Sequence, residues 1–188
     1  MARVLVPLAD GCEEIEAVTI IDILRRGGIE VVSAGLKPGP VTGSRGVVLV
    51  PDKELEYVAH QYFDLVALPG GKAGMEALRA DPRIIALLQR QASEERHIAA
   101  ICAAPAVLAE AGLLAGKRAT SYPGFLDGVA NVDLRNDPVV NDEKVITSRG
   151  PGTALDFALE LVEELAGREK RQEVERALQR PPAHLQFG

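Results

Sequence analysis

Apolar runs of strand length alternate along this chain with longer stretches of helical period. Arg3–Ala9, Glu30–Ala34, Asp64–Leu68, His97–Ile101, Arg118–Ser121 and Lys144–Thr147 read as strands. Val41–Val50 reads as an extended hairpin around Ser44-Arg45-Gly46. Helical spacing runs over Ile15–Arg26, through Ile15, Val18, Ile21 and Leu24, and over Pro82–Arg96, Ala104–Ala111, Thr153–Leu165 and Glu169–Leu178. Gly27-Gly28 stops the first helix, because glycine accepts the left-handed conformation a helix end needs. Continuous apolar strands between helices predict a single α/β domain over residues 1–188, with a mostly parallel sheet covered by helices on both faces. The composition breaks only at Pro181-Pro182-Ala183-His184, so 181–188 is expected to be a flexible tail.

Ligands of such sheets bind beyond the carboxyl ends of the strands. That rule directs attention to Gly11–Glu16, Gly70–Gly74, Cys102–Pro105 and Ser148–Gly152. In Ile98-Ala99-Ala100-Ile101-Cys102-Ala103-Ala104-Pro105 an apolar strand runs into cysteine and small residues open a helix, the layout of a nucleophile elbow. A helix amino end favours a thiolate, so Cys102 is expected to have a lowered pKa. The competing reading is a buried, inert cysteine. Asp10-Gly11-Cys12-Glu13-Glu14-Ile15-Glu16 sits on the same edge of the sheet. Its acids suit a helix start, which accounts for Glu13 and Glu14; Glu16, one turn in, could point inward, though spacing alone does not select it. The glycines of Leu68-Pro69-Gly70-Gly71 allow close approach of a ligand to backbone N–H groups, or form a plain turn. Thr147-Ser148-Arg149-Gly150-Pro151-Gly152-Thr153 closes a pocket or caps the next helix through Thr153. Ser148 has no histidine placed to activate it as a nucleophile, and His60, His97 and His184 read as structural or solvated. Arg26 and Asp22, four apart, suit a surface ion pair.

Composition narrows the chemistry. Lysine and arginine total 21 against 27 acids, a net charge of −6, and aromatics are only 4% of residues, which argues against nucleic-acid and anionic-membrane binding. Two cysteines and three histidines build neither a disulfide framework nor a typical zinc site, so no metal is expected. Neither a P-loop nor a Gly-x-Gly-x-x-Gly fingerprint is present, and no nucleotide cofactor is expected. The apolar run at Val4–Ala9 is too short for a signal-peptide core, and no run reaches membrane-helix length, so a cytoplasmic location is the expectation.

Together the four loops resemble the ThiJ/PfpI superfamily, in the branch of the parkinsonism-associated deglycase and YajL-like proteins. The matching stretches are Gly11–Val18, Leu68–Gly71, Ala99–Pro105 and Thr147–Thr153, in the family's order and spacing. The resemblance implies a flavodoxin-like three-layer α/β sandwich and a homodimer. It implies that Cys102 is the oxidation-prone nucleophile, that Glu16 is its protonated partner, and that the amides of Gly71 and Ala103 line the pocket. It puts Gly70, Arg26, Arg45, Ser148 and Pro151 near the pocket, Arg26 and Arg45 also near the dimer seam. At Thr120-Ser121-Tyr122-Pro123, Tyr122 stands where the deglycase has a histidine, and tyrosine, with a pKa of about 10, is a weak base at neutral pH. Ala103 after the cysteine departs from the protease-like branch, which has histidine there. The implied activity is cysteine-dependent conversion of reactive dicarbonyls (methylglyoxal, glyoxal) or of early glycation adducts, through a hemithioacetal on Cys102. The alternative is an oxidative-stress sensor or redox-regulated chaperone that uses Cys102 oxidation without turnover. A thiamine-biosynthesis role, suggested only by the superfamily's label, has no thiazole-phosphate or ATP site to support it.

Overall fold

The computed structural model describes residues 1–180; the proposed tail, 181–188, lies outside them. The chain runs β1 (Arg3–Leu8), α1 (Glu14–Arg26), β2 (Glu30–Gly35), β3 (Val41–Thr42), β4 (Val48–Leu49), β5 (Lys53–Glu54), α2 (Leu55–Val58) and β6 (Leu65–Leu68). It continues α3 (Lys72–Ala80), α4 (Pro82–Ser93), β7 (His97–Ile101), α5 (Pro105–Glu110), β8 (Arg118–Ala119) and β9 (Asp133–Leu134). It ends β10 (Val139–Asp142), β11 (Val145–Ser148), α6 (Ala154–Ala166) and α7 (Arg168–Ala177).

Seven strands form the main sheet in the order β10-β11-β7-β6-β1-β2-β5, parallel except for β10, which pairs antiparallel with β11. β1, β6 and β7 are buried almost throughout, which is why they read as unbroken apolar runs. From β1 the chain moves one way to β2 and later the other way through β6, β7 and β11. Right-handed crossovers in opposite directions put α1 on one face and α3 and α4 on the other. α6 packs on α1 and α7 on α6, while α3, α4 and α5 pack on one another. The result is the expected flavodoxin-like α/β sandwich, whose topological switch point lies between the carboxyl ends of β1 and β6.

Several details differ from the sequence pattern. Lys72–Ala80 is a helix that the glycine-rich start of the segment disguises. The helix from Pro82 stops at Ser93, where Glu95 takes a positive φ of 53°. Arg118–Ser121 contributes only a two-residue strand, paired with β9 outside the main sheet. On α1 the buried side carries Ala17, Ile20, Ile23 and Leu24, while Ile15 and Val18 face outward, 56% and 47% exposed. Small Ala17 lets the helix sit close to its neighbours, so the inward face is one residue out of phase with the branched apolar stripe. Hairpin β3–β4 forms around Ser44-Arg45-Gly46 as its sequence predicts.

Candidate active site

Three of the four loops meet at the switch point. The Glu13 N–H donates to Gly70 O (3.0 Å), joining the loop after β1 to the loop after β6. The Cys102 N–H donates to Ser148 O (2.9 Å), joining the end of β7 to the end of β11. Cys102 has a φ of 64°, a left-handed conformation that costs a non-glycine residue about 1–3 kcal/mol and that its surroundings enforce. This sharp turn from strand to helix is the elbow the sequence predicts, and it leaves the thiol 8% exposed.

The Glu16 side chain is fully buried, and its Oε2 accepts the Gly70 N–H at 2.7 Å while Oε1 has no hydrogen-bond partner. Burial lifts its pKa to about 7, against the Gly70 N–H and the Cys102 contact, which lower it. The Cys102 thiol is pushed up to about 12, by burial first and by the negative charge of Glu16 second. The N–H groups of Gly71 and Ala103 act the other way and favour the thiolate, but burial outweighs them, so the helix amino end alone does not set the direction. Cys102 therefore holds its proton more tightly than Glu16, which is the first of the pair to ionise as pH rises. While neutral, Glu16 does not repel a thiolate and is a hydrogen-bond donor to it. Among the described residues no three His, Cys, Asp or Glu are grouped to hold a metal ion.

Gly70 and Gly71 make this approach possible. A Cβ on Gly70 would lie 2.7 Å from Cys102 Cβ, 2.8 Å from Glu16 Oε2 and 2.9 Å from Ile101 O. Gly71 has a φ of 84°, and a Cβ there would lie 2.7 Å from the Glu13 nitrogen. Gly70→Ala is expected to cost about 1–3 kcal/mol in denaturant unfolding, as overpacking does, and to change the rate of iodoacetamide modification of Cys102. Unchanged stability and an unchanged alkylation rate would show that the pair does not need this close approach.

Of the other predicted residues, Tyr122, like Ser148, touches the Cys102 backbone. Its N–H donates to Cys102 O (2.8 Å), and its half-exposed ring stands against Gly150. Tyr122, Pro123, Arg149 and Pro151 wall an open cleft of about 310 Å³ beside that strand end. Ser148 Oγ is committed to Pro138 O and Thr153 Oγ1, both at 2.7 Å, so this residue serves through its carbonyl. Thr153 closes the Gly150–Thr153 turn through its hydroxyl rather than capping α6. Arg26 is not brought to the site. It lies in the last turn of α1, about 15 Å along the helix from Glu16, paired with Asp22 at 2.7 Å. Arg45 joins through its backbone, donating its N–H to Glu14 Oε1 (2.5 Å), with its guanidinium exposed.

Glu14 has a larger part than a helix start requires. It is buried and also receives the Val47 N–H and the Ser44 hydroxyl, so it clamps hairpin β3–β4 to α1. Burial alone would raise its pKa, but hydrogen bonds from backbone N–H groups and Ser44 hold it below the usual range. The one available signal was the polar Ser44-Arg45-Gly46 turn, whose partner only the fold reveals. Cys12 is buried, and burial together with the charge of Glu14 pushes its thiol to about 11. His97 opens β7 at the end away from Cys102 and lies 2.8 Å from Glu164.

Residues 2–164 match the model of the DJ-1/PfpI family. The chain is 49% identical over 179 residues to protein dj-1beta of Drosophila melanogaster, covering 93% of this chain and 95% of that one. The crystal structure of that protein matches with a TM-score of 0.91 over 94% of this chain and 97% of that chain. A Caenorhabditis elegans protein named glutathione-independent glyoxalase DJR-1.2 is 41% identical over 171 residues, 90% of each chain. The structure of Toxoplasma gondii DJ-1, oxidized, is 41% identical, with a TM-score of 0.91 over 95% of this chain and 98% of that chain.

Proposed function

This chain belongs to the DJ-1/PfpI family, and from that premise we propose that it is a cysteine-dependent, glyoxalase- or deglycase-like enzyme acting on small dicarbonyls such as methylglyoxal and glyoxal, or on early glycation adducts. The observation that carries the reading is the buried pairing of Cys102 with a Glu16 of raised pKa beneath the N–H groups of Gly71 and Ala103. The name of the nematode relative supports the substrate class.

In the proposed mechanism the Cys102 sulfur adds to the aldehyde carbon of methylglyoxal, and the thiol proton is passed to the new oxygen. The N–H groups of Gly71 and Ala103 stabilise that oxygen while it carries negative charge. Glu16 then takes the proton from the former aldehyde carbon and returns it to the former ketone carbon, while the hemithioacetal hydroxyl proton passes to the former ketone oxygen; through this enediol the hemithioacetal becomes a thioester of lactate. Water attacks the thioester carbonyl, lactate leaves, and the thiol is restored. The overall balance is methylglyoxal plus water to lactate, with no external oxidant or reductant. Tyr122, in place of a histidine, contributes a hydrogen bond rather than a base. The test is formation of lactate from methylglyoxal by the full chain without added thiol; methylglyoxal that persists, or disappears without lactate, overturns the reading.

A second reading, oxidation sensing, draws on the same pair: a sulfinate on Cys102 would accept hydrogen bonds from protonated Glu16 and the two amides. The protein is proposed to work as a homodimer. Ile15 and Val18 on α1 stand exposed, as do Val47, Val48 and Val50 in and just after the hairpin that Glu14 clamps to that helix, and exposed apolar residues grouped on two joined elements suit an interface. Wild type is expected to sediment at twice the chain mass, and Val18→Glu at the chain mass with its circular dichroism retained. A wild-type monomer, or a dimer that tolerates Val18→Glu, removes this face from the interface.

A further inference from the structure

A second cavity lies at the end of the sheet away from Cys102. It has a volume of about 460 Å³, half enclosed, between the end of α4, the loop after α5 and the β10–β11 turn. That is the size range of a small-molecule site. Ile98 and Val145, the buried first apolar residues of β7 and β11, give it an aliphatic floor, extended by partly buried Ala92 and Leu113. No aromatic side chain lines it.

Charge at its mouth is asymmetric in availability. Arg96 is held as a wall: it stacks on Tyr62, with 4.1 Å to the ring centroid, pairs with Glu94 and donates to Gln91 Oε1 and Phe63 O. Lys117 pairs with Glu143, an acid 75% exposed, and such a surface pair opens at little cost. The Lys144 ammonium has His97 Nε2 at 3.3 Å and is in no ion pair among the described residues. Glu95 and Glu143, the two acids of the lining, both sit at residues of positive φ, 53° and 59°, and are exposed to solvent. Both carboxylates face solvent, whereas the Lys117 side chain is only 27% exposed and Lys144 lines the cavity next to Val145.

We propose that this cavity is a binding site for a small aliphatic monocarboxylate, its chain on Ile98, Leu113 and Val145 and its carboxylate between Lys117 and Lys144. The site is distinct from the Cys102 pocket, at the far end of β7, and stands or falls independently of the reaction proposed there. A straight chain suits a floor of branched aliphatic side chains without rings. The carboxylate satisfies the unpaired ammonium and competes with Glu143 for the other.

The experiment is an amide NMR titration of the full chain with octanoate, octanol and octylamine at neutral pH. Octanoate is expected to shift the amides of Ile98, Leu113, Lys144 and Val145 saturably while leaving those of Gly71 and Ala103 in place. Lys144→Glu, at an exposed position, is expected to weaken octanoate binding about tenfold, the worth of one charge-assisted hydrogen bond, and octanol to bind about as weakly to wild type. Leu113→Glu, which puts a charge at the floor, is expected to abolish the shifts. Octylamine binding as well as octanoate, octanoate binding unaffected by Lys144→Glu, shifts confined to the Cys102 loops, or no saturation at millimolar octanoate would each overturn the proposal.

Discussion

Cys102→Ser is expected to lower lactate formation from methylglyoxal by about a thousandfold or more, the scale seen when a covalent nucleophile is removed from an enzyme. The reason is geometric as much as chemical. The Cys102 thiol sits at a strained elbow, with Glu16 below and the amides of Gly71 and Ala103 beside it, and a serine hydroxyl there, far less acidic than a thiol, is a much weaker nucleophile. Cys12→Ala is the control: that thiol is buried and surrounded by Asp10, Glu13 and Glu14, all of which oppose a thiolate, so turnover should persist. Equal turnover in Cys102→Ser and wild type would sink the covalent mechanism. The same two variants address the sensing alternative. Mild peroxide should add one or two oxygens to wild type and to Cys12→Ala but not to Cys102→Ser, as read by intact mass. Wild type that oxidises at Cys102 without ever making lactate would favour sensing over catalysis.

Glu16→Gln is expected to remove a pH dependence of stability as well as activity. In the folded protein the Glu16 carboxyl keeps its proton up to about pH 7, against an ordinary value of 4.5. The unfolded chain releases that proton earlier, so between these values the folded state binds more protons and stability falls as pH rises. The contribution is fully present below pH 4.5 and lost through pH 7, a total of about 3 kcal/mol. Glutamine can still accept the Gly70 N–H and carries no charge to bury. Urea unfolding should therefore give wild type and Glu16→Gln similar stabilities at pH 4, with the variant ahead by up to that amount at pH 8. Parallel curves across this range would mean that Glu16 is ionised in the folded protein. Turnover should fall about a hundredfold or more in the same variant, the usual contribution of a general acid–base group. Improved stability with lost activity separates this effect from simple misfolding.

The sheet was legible because its central strands are buried on both faces and so are written as continuous apolar runs at Val4–Leu8, Leu65–Leu68 and Ile98–Ile101. The elbow was legible too, since a strand ending in cysteine followed by alanines leaves little else for the backbone to do. Helix α3 was hidden, because Gly71 and Gly74 serve close packing against the Gly11–Glu13 loop rather than local propensity. The face of α1 was misread for a related reason. In its first turns the inward side holds Ala17 and two carboxylates, Glu14 and Glu16, while Ile15 and Val18 point out toward the proposed partner copy.

By itself the sequence determined the class of fold and carried the expectations that chemistry lies at the carboxyl edge of the sheet and that Cys102, through its position after β7, rather than Cys12 is the reactive thiol. These are local properties: hydrophobic period, turn chemistry and the few cysteines available. Spacing left Glu13, Glu14 and Glu16 equivalent and the family resemblance pointed to Glu16; only the tertiary structure decided in which direction the carboxyl and the thiol shift, because the three acids differ in what buries them. Ser44, Arg45 and Val47 hold Glu14, whereas Glu16 is left under Gly70 and Cys102 with an unpartnered oxygen. Desolvation is a property of the assembled surroundings, and no residue carries it in its own sequence position.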